Sequence, residues 1–291
     1  MLTYLSLIVT MLFWGGTFIA GRILADSVPP ADAAFLRFAI AAAALAPLAR
    51  LVDGKLSLPP ANQLIRLALL GFTGVFCYNM CFFNGLRYIE AGRASLIIAL
   101  NPMVIAIAAV VLFRERLSPL QYLGLFVSLI GALFVISNGD PAILLSGGFG
   151  FGEMAILGCV LSWASYSLIG RSVLQVMTPL SAVFYSTLFG AMMLLVAALR
   201  HTTLGSLASY SADAWLSLLF LGILGTAAGF SLYYRAIRRI GAARSSVFIN
   251  LVPLFSILLA WLILGESLKI SVLAGGVILL TGVYLTNRRR F

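Results

Sequence analysis

The chain has 291 residues, of which 62% are hydrophobic and 10% charged, with a mean hydropathy of +1.08. Soluble domains are typically about 45–50% apolar and about 25% charged, so this composition cannot cover a water-facing surface. The net charge of +10 would suggest nucleic acid in a soluble chain, but here the basic residues sit at the ends of apolar runs, where Lys and Arg set membrane topology, and form no stripe with interleaved aromatics.

The apolar runs are long enough to cross a bilayer, where a helix needs roughly 20 residues. They do not alternate apolar with polar as barrel strands do, so they predict helices, which satisfy their own backbone in lipid. In chain order the expected helices are 3–24, 31–49, 63–86, 93–113, 119–136, 153–174, 179–199, 214–234, 243–264 and 270–287. Connections are short and carry Pro, Gly, Asp or Ser, as at Asp26–Pro30, Asp53–Lys55, Leu117–Pro119 and Asn138–Pro141, and no soluble domain fits between them. The first run lacks the positive n-region and small-residue cleavage site of a secretory signal, and its pattern recurs in mid-chain. Gly147–Gly152 lacks the Gly-Lys-Ser/Thr of a phosphate loop and reads as a linker. Ser118, Pro119 and Gln121 make a helix cap. Cys77, Cys81 and Cys159 are odd in number and have no His or carboxylate cluster beside them, so they read as small hydrophobes, with no metal or cofactor expected.

Residues 85–136 align without a gap onto 236–287, at an offset of 151. Arg87, Arg93, Pro102, Glu115, Gly124 and Gly131 meet Arg238, Arg244, Pro253, Glu266, Gly275 and Gly282, and Gly71 and Gly74 meet Gly222 and Gly225. Near the start of each half, at an offset of 149, Trp14 meets Trp163, Gly21 Gly170, Arg22 Arg171 and Pro30 Pro179. Shared apolar composition does not explain coincident Trp, Pro, Arg, Glu and Gly. The expected organisation is therefore an all-α integral membrane protein with ten transmembrane helices in two five-helix repeats, 1–140 and 141–291. Because five is odd, the second repeat enters the membrane from the opposite side, a device of transporters. Thirteen Lys and Arg fall on one side of this arrangement and five on the other, Arg22, Arg87, Arg93, Arg200 and Lys269, which predicts cytoplasmic termini.

Two five-helix repeats, each with a Trp in its first helix and a Pro…Glu…Gly…Gly series in its last two, resemble the drug/metabolite transporter superfamily and, within it, the EamA branch. The aromatic-rich interior looks most like that of the YddG-type amino-acid exporters. The resemblance covers nearly the whole chain. It implies alternating access through a central cavity, export of amino acids including aromatic ones, and a place in the bacterial inner membrane; a monomer is expected.

Candidate transport residues follow from what lipid does not tolerate. Pro102 and Pro253 come about nine residues into their helices, each removing a backbone donor and freeing carbonyls near Ile98 and Ile249. Matched interruptions point to a midplane site, though a simple kink would leave the same trace. Asn101 and Asn250 flank the prolines and are read as hydrogen-bonding a polar substrate; Asn79 reads equally as glue between helices. Trp14, Tyr78, Trp163 and Tyr166 lie away from the interfaces that Trp and Tyr prefer. Any one of them is ordinarily packing, but the matched Trp pair points to a cavity in which indole N–H groups find partners and ring faces attract an ammonium. Tyr233 and Tyr234 read as interface residues. Arg37 is the only charge well inside a helix, and reads as snorkelling or structurally paired rather than as a carboxylate receptor. Glu115 and Glu266 read as structural, each beside the N-terminus of the helix that follows it.

The acidic residues all lie near helix ends and the single His201 is in a loop, so a facilitator or exchanger is expected; Glu153 is the residue to suspect if protons are coupled. An intramembrane enzyme lacks any constellation to work with. A channel would call for rings of like residues. Another metabolite or an amphipathic drug is the alternative cargo, and nucleotide sugars would demand more buried cations than Arg37 alone.

Overall fold

A computed structural model describes residues 2–53, 58–113, 118–137, 139–140, 150–199, 204–240, 247–267 and 269–287. The described residues form helices and no strand. In order these are α1 (Leu2–Ser27), α2 (Pro30–Asp53), α3 (Ala61–Gly85), α4 (Ala91–Ile98), α5 (Asn101–Phe113), α6 (Pro119–Ile136), α7 (Phe151–Val173), α8 (Pro179–Ala198) and α9 (Leu204–Ser209). Then come α10, built from Ala212–Leu219, Phe220–Ala228 and Gly229–Ile240; α11, from Val247–Asn250, Leu251–Leu259 and Ala260–Leu264; and α12 (Ile270–Asn287). Seven helical runs are long and apolar enough to cross a membrane, and Pro119–Val135, Phe248–Leu264 and Ile270–Leu285 are shorter apolar helices. The chain is a multi-pass membrane protein. The short α9 was not expected; it ends at Ser209, just before the Ser211 hydroxyl caps α10 by accepting from the Ala214 amide at 3.2 Å.

The expected helix interruption at Pro102 is present. α4 stops at Ile98, two residues turn, and α5 begins at Asn101. In the other half α11 opens as a 3-10 turn through Asn250 and becomes α-helical at Leu251, two residues before Pro253. Proline cannot donate to the preceding turn, so the ladder must restart around it. A second matched irregularity was not legible: π-helical turns span Gly71–Cys77 in α3 and Phe220–Ala228 in α10. At the offset of 151 the first falls inside the second. Such turns leave carbonyls off the regular ladder and recur at functional sites.

Repeat-related glycines lie where backbones touch. A Cβ on Gly131 of α6 would overlap the Leu279 backbone of α12, and one on Gly282 would overlap the backbone of Ser128. Equally, a Cβ on Gly71 would come within 2.8 Å of the Ser186 carbonyl, and one on Gly222 within 2.9 Å of the Arg37 carbonyl. Ser186 and Arg37 correspond at the offset of 149. The two halves thus grip each other by the same contacts made twice. Lipid offers helices no hydrophobic drive to associate, so close approach through small residues supplies it.

Polar contacts gather at one end of the bundle. Arg93, at the start of α4, donates to Glu153 of α7 at 2.7 Å and to the Val135 carbonyl of α6 at 3.2 Å. Glu266, after α11, accepts from the Ala91 and Gly92 amides at 2.8 and 3.1 Å. Arg87 donates from Nε to the Ala25 carbonyl at 2.9 Å, capping α1, and Tyr210 donates to Asp32 at 2.8 Å. At the opposite end of α6, the expected cap at Ser118 and Gln121 is a reciprocal capping box. Glu266 corrects its expectation: it serves α4 of the other half, not α12 beside it. Glu115, Arg114, Arg116, Arg200, His201, Arg244 and Gly147–Phe149 lie outside the described residues.

Candidate functional site

Two aromatic groups occupy the interior. In the first, Tyr78 of α3 lies 5.8 Å from Trp163 of α7, Trp163 stacks on Tyr166 at 5.2 Å, and Tyr78 stacks on Phe82 at 6.0 Å. One helical turn separates Trp163 from Tyr166 and Tyr78 from Phe82, so each pair shares a helix face. Gly74 makes room on α3, since a Cβ there would overlap the Tyr166 ring. Ser186 of α8 lies beside the Tyr166 hydroxyl, and its own hydroxyl donates to the Val183 carbonyl at 3.0 Å. Trp163 is half-buried, and its indole N–H takes no partner among the described residues.

The second group is the repeat partner of the first. Trp14 of α1 packs on α10, 5.6 Å from Phe230 and 5.2 Å from Tyr233. At the repeat offsets Tyr78 becomes Gly229 and Asn79 becomes Phe230. The exchange explains the difference between the groups. A Cβ on Gly229 would come within 2.7 Å of Trp14 Nε1, so the glycine lets the indole approach the backbone. Trp14 Nε1 then donates to the Gly225 carbonyl at 3.0 Å. That carbonyl is free because the Gly229 amide reaches back to Leu224 in the π-helical turn. Trp14 therefore needs no cavity to satisfy its N–H, contrary to expectation. Gly225 and Gly229 pack against α1 inside the bundle. Tyr233, expected at an interface, joins Trp14; the Tyr234 side chain lies outside the described residues. Trp14→Phe keeps the ring contacts and orphans the Gly225 carbonyl. It should cost about 1 kcal/mol, read as a lower unfolding midpoint in detergent.

Beside the first group lies Arg37 of α2. Its Nη1 donates to Asn79 Oδ1 at 3.0 Å, and Asn79, 1% exposed, donates from Nδ2 to the Val75 carbonyl at 2.8 Å. The guanidinium also sits 5.0 Å from the centre of the Phe38 ring and within electrostatic reach of Tyr78. Arg37 is thus paired to an amide rather than extended to a surface. The structure brings Tyr78, Asn79, Trp163 and Tyr166 together. Trp14 belongs to the other group. Asn101 and Pro102, and Asn250 and Pro253, stay at the two helix breaks; Asn101 Oδ1 is buried there without a partner. Arg37 and Ser186 are the members of the first group that sequence reasoning left out. The signal for Arg37 was its isolation as a charge within a span. Among the described residues, no group of three His, Cys, Asp or Glu is arranged to hold a metal ion.

Residues 1–137 and 150–288 each match the model of the EamA-like transporter family. The chain is 29% identical over 280 residues to "Uncharacterized transporter YyaM" of Bacillus subtilis (strain 168), covering 96% of this chain and 92% of that protein. It is 30% identical over 286 residues to "Probable terminal-alkyne amino-acid exporter" of Streptantibioticus cattleyicolor, covering 98% and 93%. A solved crystal structure at 22% identity has the same fold, with a TM-score of 0.65 over 98% of this chain and 96% of that one.

Proposed function

This chain belongs to the EamA-like transporter family, and on that premise we propose that it exports amino acids, aromatic ones included, by alternating access between its two halves. It is a transporter and not an enzyme. In this reading the seven long helical runs and three shorter ones make ten spans, and the repeats at 1–140 and 141–291 are inverted and rock about a central cavity. The termini are cytoplasmic, the membrane is a bacterial inner membrane, and the protein works as a monomer. Transport follows the substrate gradient as facilitation or exchange.

The observation that carries the reading is the aromatic wall of Tyr78, Trp163 and Tyr166, with an indole N–H left open on it. A stack of rings in hydrocarbon needs no unsatisfied donor; a wall that meets a polar substrate does. Amphipathic cargo with an ammonium suits such faces, and the relative named as an amino-acid exporter supports the class. The test is counterflow in liposomes loaded with radiolabelled phenylalanine and challenged with unlabelled amino acids outside. Saturable, counter-stimulated efflux is expected, falling at least tenfold in Trp163→Ala, while Trp14→Phe transports normally. Flux linear in substrate would mark a channel. Absence of flux with every amino acid would overturn the substrate class and favour another metabolite or a drug.

A further inference from the structure

We propose that Arg37 is the receptor for the carboxylate of the transported molecule, in a subsite formed with Asn79 and Tyr78 beside the Trp163–Tyr166 wall. The assignment deepens the amino-acid reading above and rests on it.

Arg37 lies seven residues into α2, about 10 Å below the end of the helix at 1.5 Å per residue. One of its nitrogens is used, by the neutral carbonyl of Asn79. Its Nε is buried and has no partner. Among the described residues no carboxylate comes within ion-pair distance of it. Asp32, five residues earlier on the same helix, is engaged by Tyr210.

A cation placed in a span is ordinarily paired with a carboxylate or aimed at the surface, because a buried charge without countercharge is strongly disfavoured. Arg37 does neither. An amide fixes the direction of the guanidinium but leaves its charge unbalanced. Asn79 is itself fixed by Val75, so the guanidinium is held in advance of any ligand. The planar fork of an arginine is suited to a carboxylate, which takes two parallel N–H bonds. Tyr78 links the guanidinium to the Trp163–Tyr166 wall, and in this assignment those ring faces take the ammonium of the zwitterion. The second half holds no copy of the subsite, because the residues matching Arg37 and Asn79 are Ser186 and Phe230.

The probes are phenylalanine, phenylacetate and phenethylamine, which share a ring and differ in charge. Each is titrated onto the detergent-purified protein, with the unfolding midpoint followed by tryptophan fluorescence, for wild type, Arg37→Gln and Arg37→Lys. Phenylalanine and phenylacetate should raise the wild-type midpoint and phenethylamine should not. Arg37→Gln should weaken both responses about ten- to a hundredfold in apparent Kd, the loss of a charge-assisted hydrogen bond. Arg37→Lys should be intermediate. Without ligand, Arg37→Gln should unfold no lower than wild type, because it removes an unbalanced charge while its amide can still donate to Asn79. A phenylacetate response without a phenylalanine response would support the carboxylate subsite and sink the amino-acid reading. Wild type that responds to neither carboxylate, or a response unchanged in Arg37→Gln, overturns the subsite.

Discussion

Glu153→Gln should lower the unfolding free energy in detergent by about 3–5 kcal/mol. Glu153 and Arg93 form an ion pair at 2.7 Å with side chains 6% and 12% exposed. Removing one member of a buried ion pair is strongly destabilising, because the charge that remains loses its counterion. Arg93 keeps its bond to the Val135 carbonyl, which is no counterion. Glu153 also accepts from the Gly150 amide at 3.1 Å, so the same change loosens the start of α7. The double variant Arg93→Met with Glu153→Gln should recover most of the loss, since it leaves no unpaired charge at the site. A double-mutant cycle on unfolding midpoints measures this. A loss under about 1 kcal/mol in the single variant would mean that the pair behaves as a solvated one. Glu153 was the residue to suspect for proton coupling; its engagement with Arg93 supplies a structural reason for a carboxylate there.

What could be read from the sequence was what chemistry forces regardless of partner. Pro102 must interrupt a helix, and the helix restarts beside it; Pro253 stands where a 3-10 turn gives way to α-helix. Ser118 and Gln121 act three residues apart, and the cap forms between them. Gly131 and Gly282 could be matched across the repeats, but not that each would press on the helix bearing the other. What could not be read depended on which distant helix arrives. Nothing in the local pattern of Arg37 points to Asn79, 42 residues away, and an amide partner leaves no charge complement to search for. The π-helical turns at Gly71–Cys77 and Phe220–Ala228 arise from glycine-rich apolar stretches that regular helices also tolerate. The matched Trp pair pointed to a cavity in which both indole N–H groups find partners. The exchange of Tyr78 for Gly229 made one wall with an open N–H and one with a closed bond, and only the packed backbone separates those outcomes.

Glu266→Ala should cost about 3 kcal/mol, roughly two charge-assisted hydrogen bonds and the cap of one helix. Glu266 follows Gly265, which stands at φ 67° as the left-handed terminus of α11 and turns the chain so that the carboxylate faces α4. There it accepts from the Ala91 and Gly92 amides, two of the donors that open a helix without partners of their own. Its negative charge also meets the positive end of the α4 dipole. Ser256 of α11 donates to the Ala91 carbonyl at 3.4 Å, so the same turn is held from both sides. Because α4 belongs to the first repeat and α11 to the second, this carboxylate joins the halves at the end of the bundle where Arg93 and Glu153 also meet. Hydrogen exchange at the amides of residues 91–96 separates this from a general loss of stability. Glu266→Ala should speed exchange there well beyond the change in α6 and α12, whose contact is made by backbone and glycine. Glu266→Gln retains one acceptor and should fall between the two. Uniform acceleration across all helices would mean that Glu266 stabilises the fold as a whole and does not clasp α4.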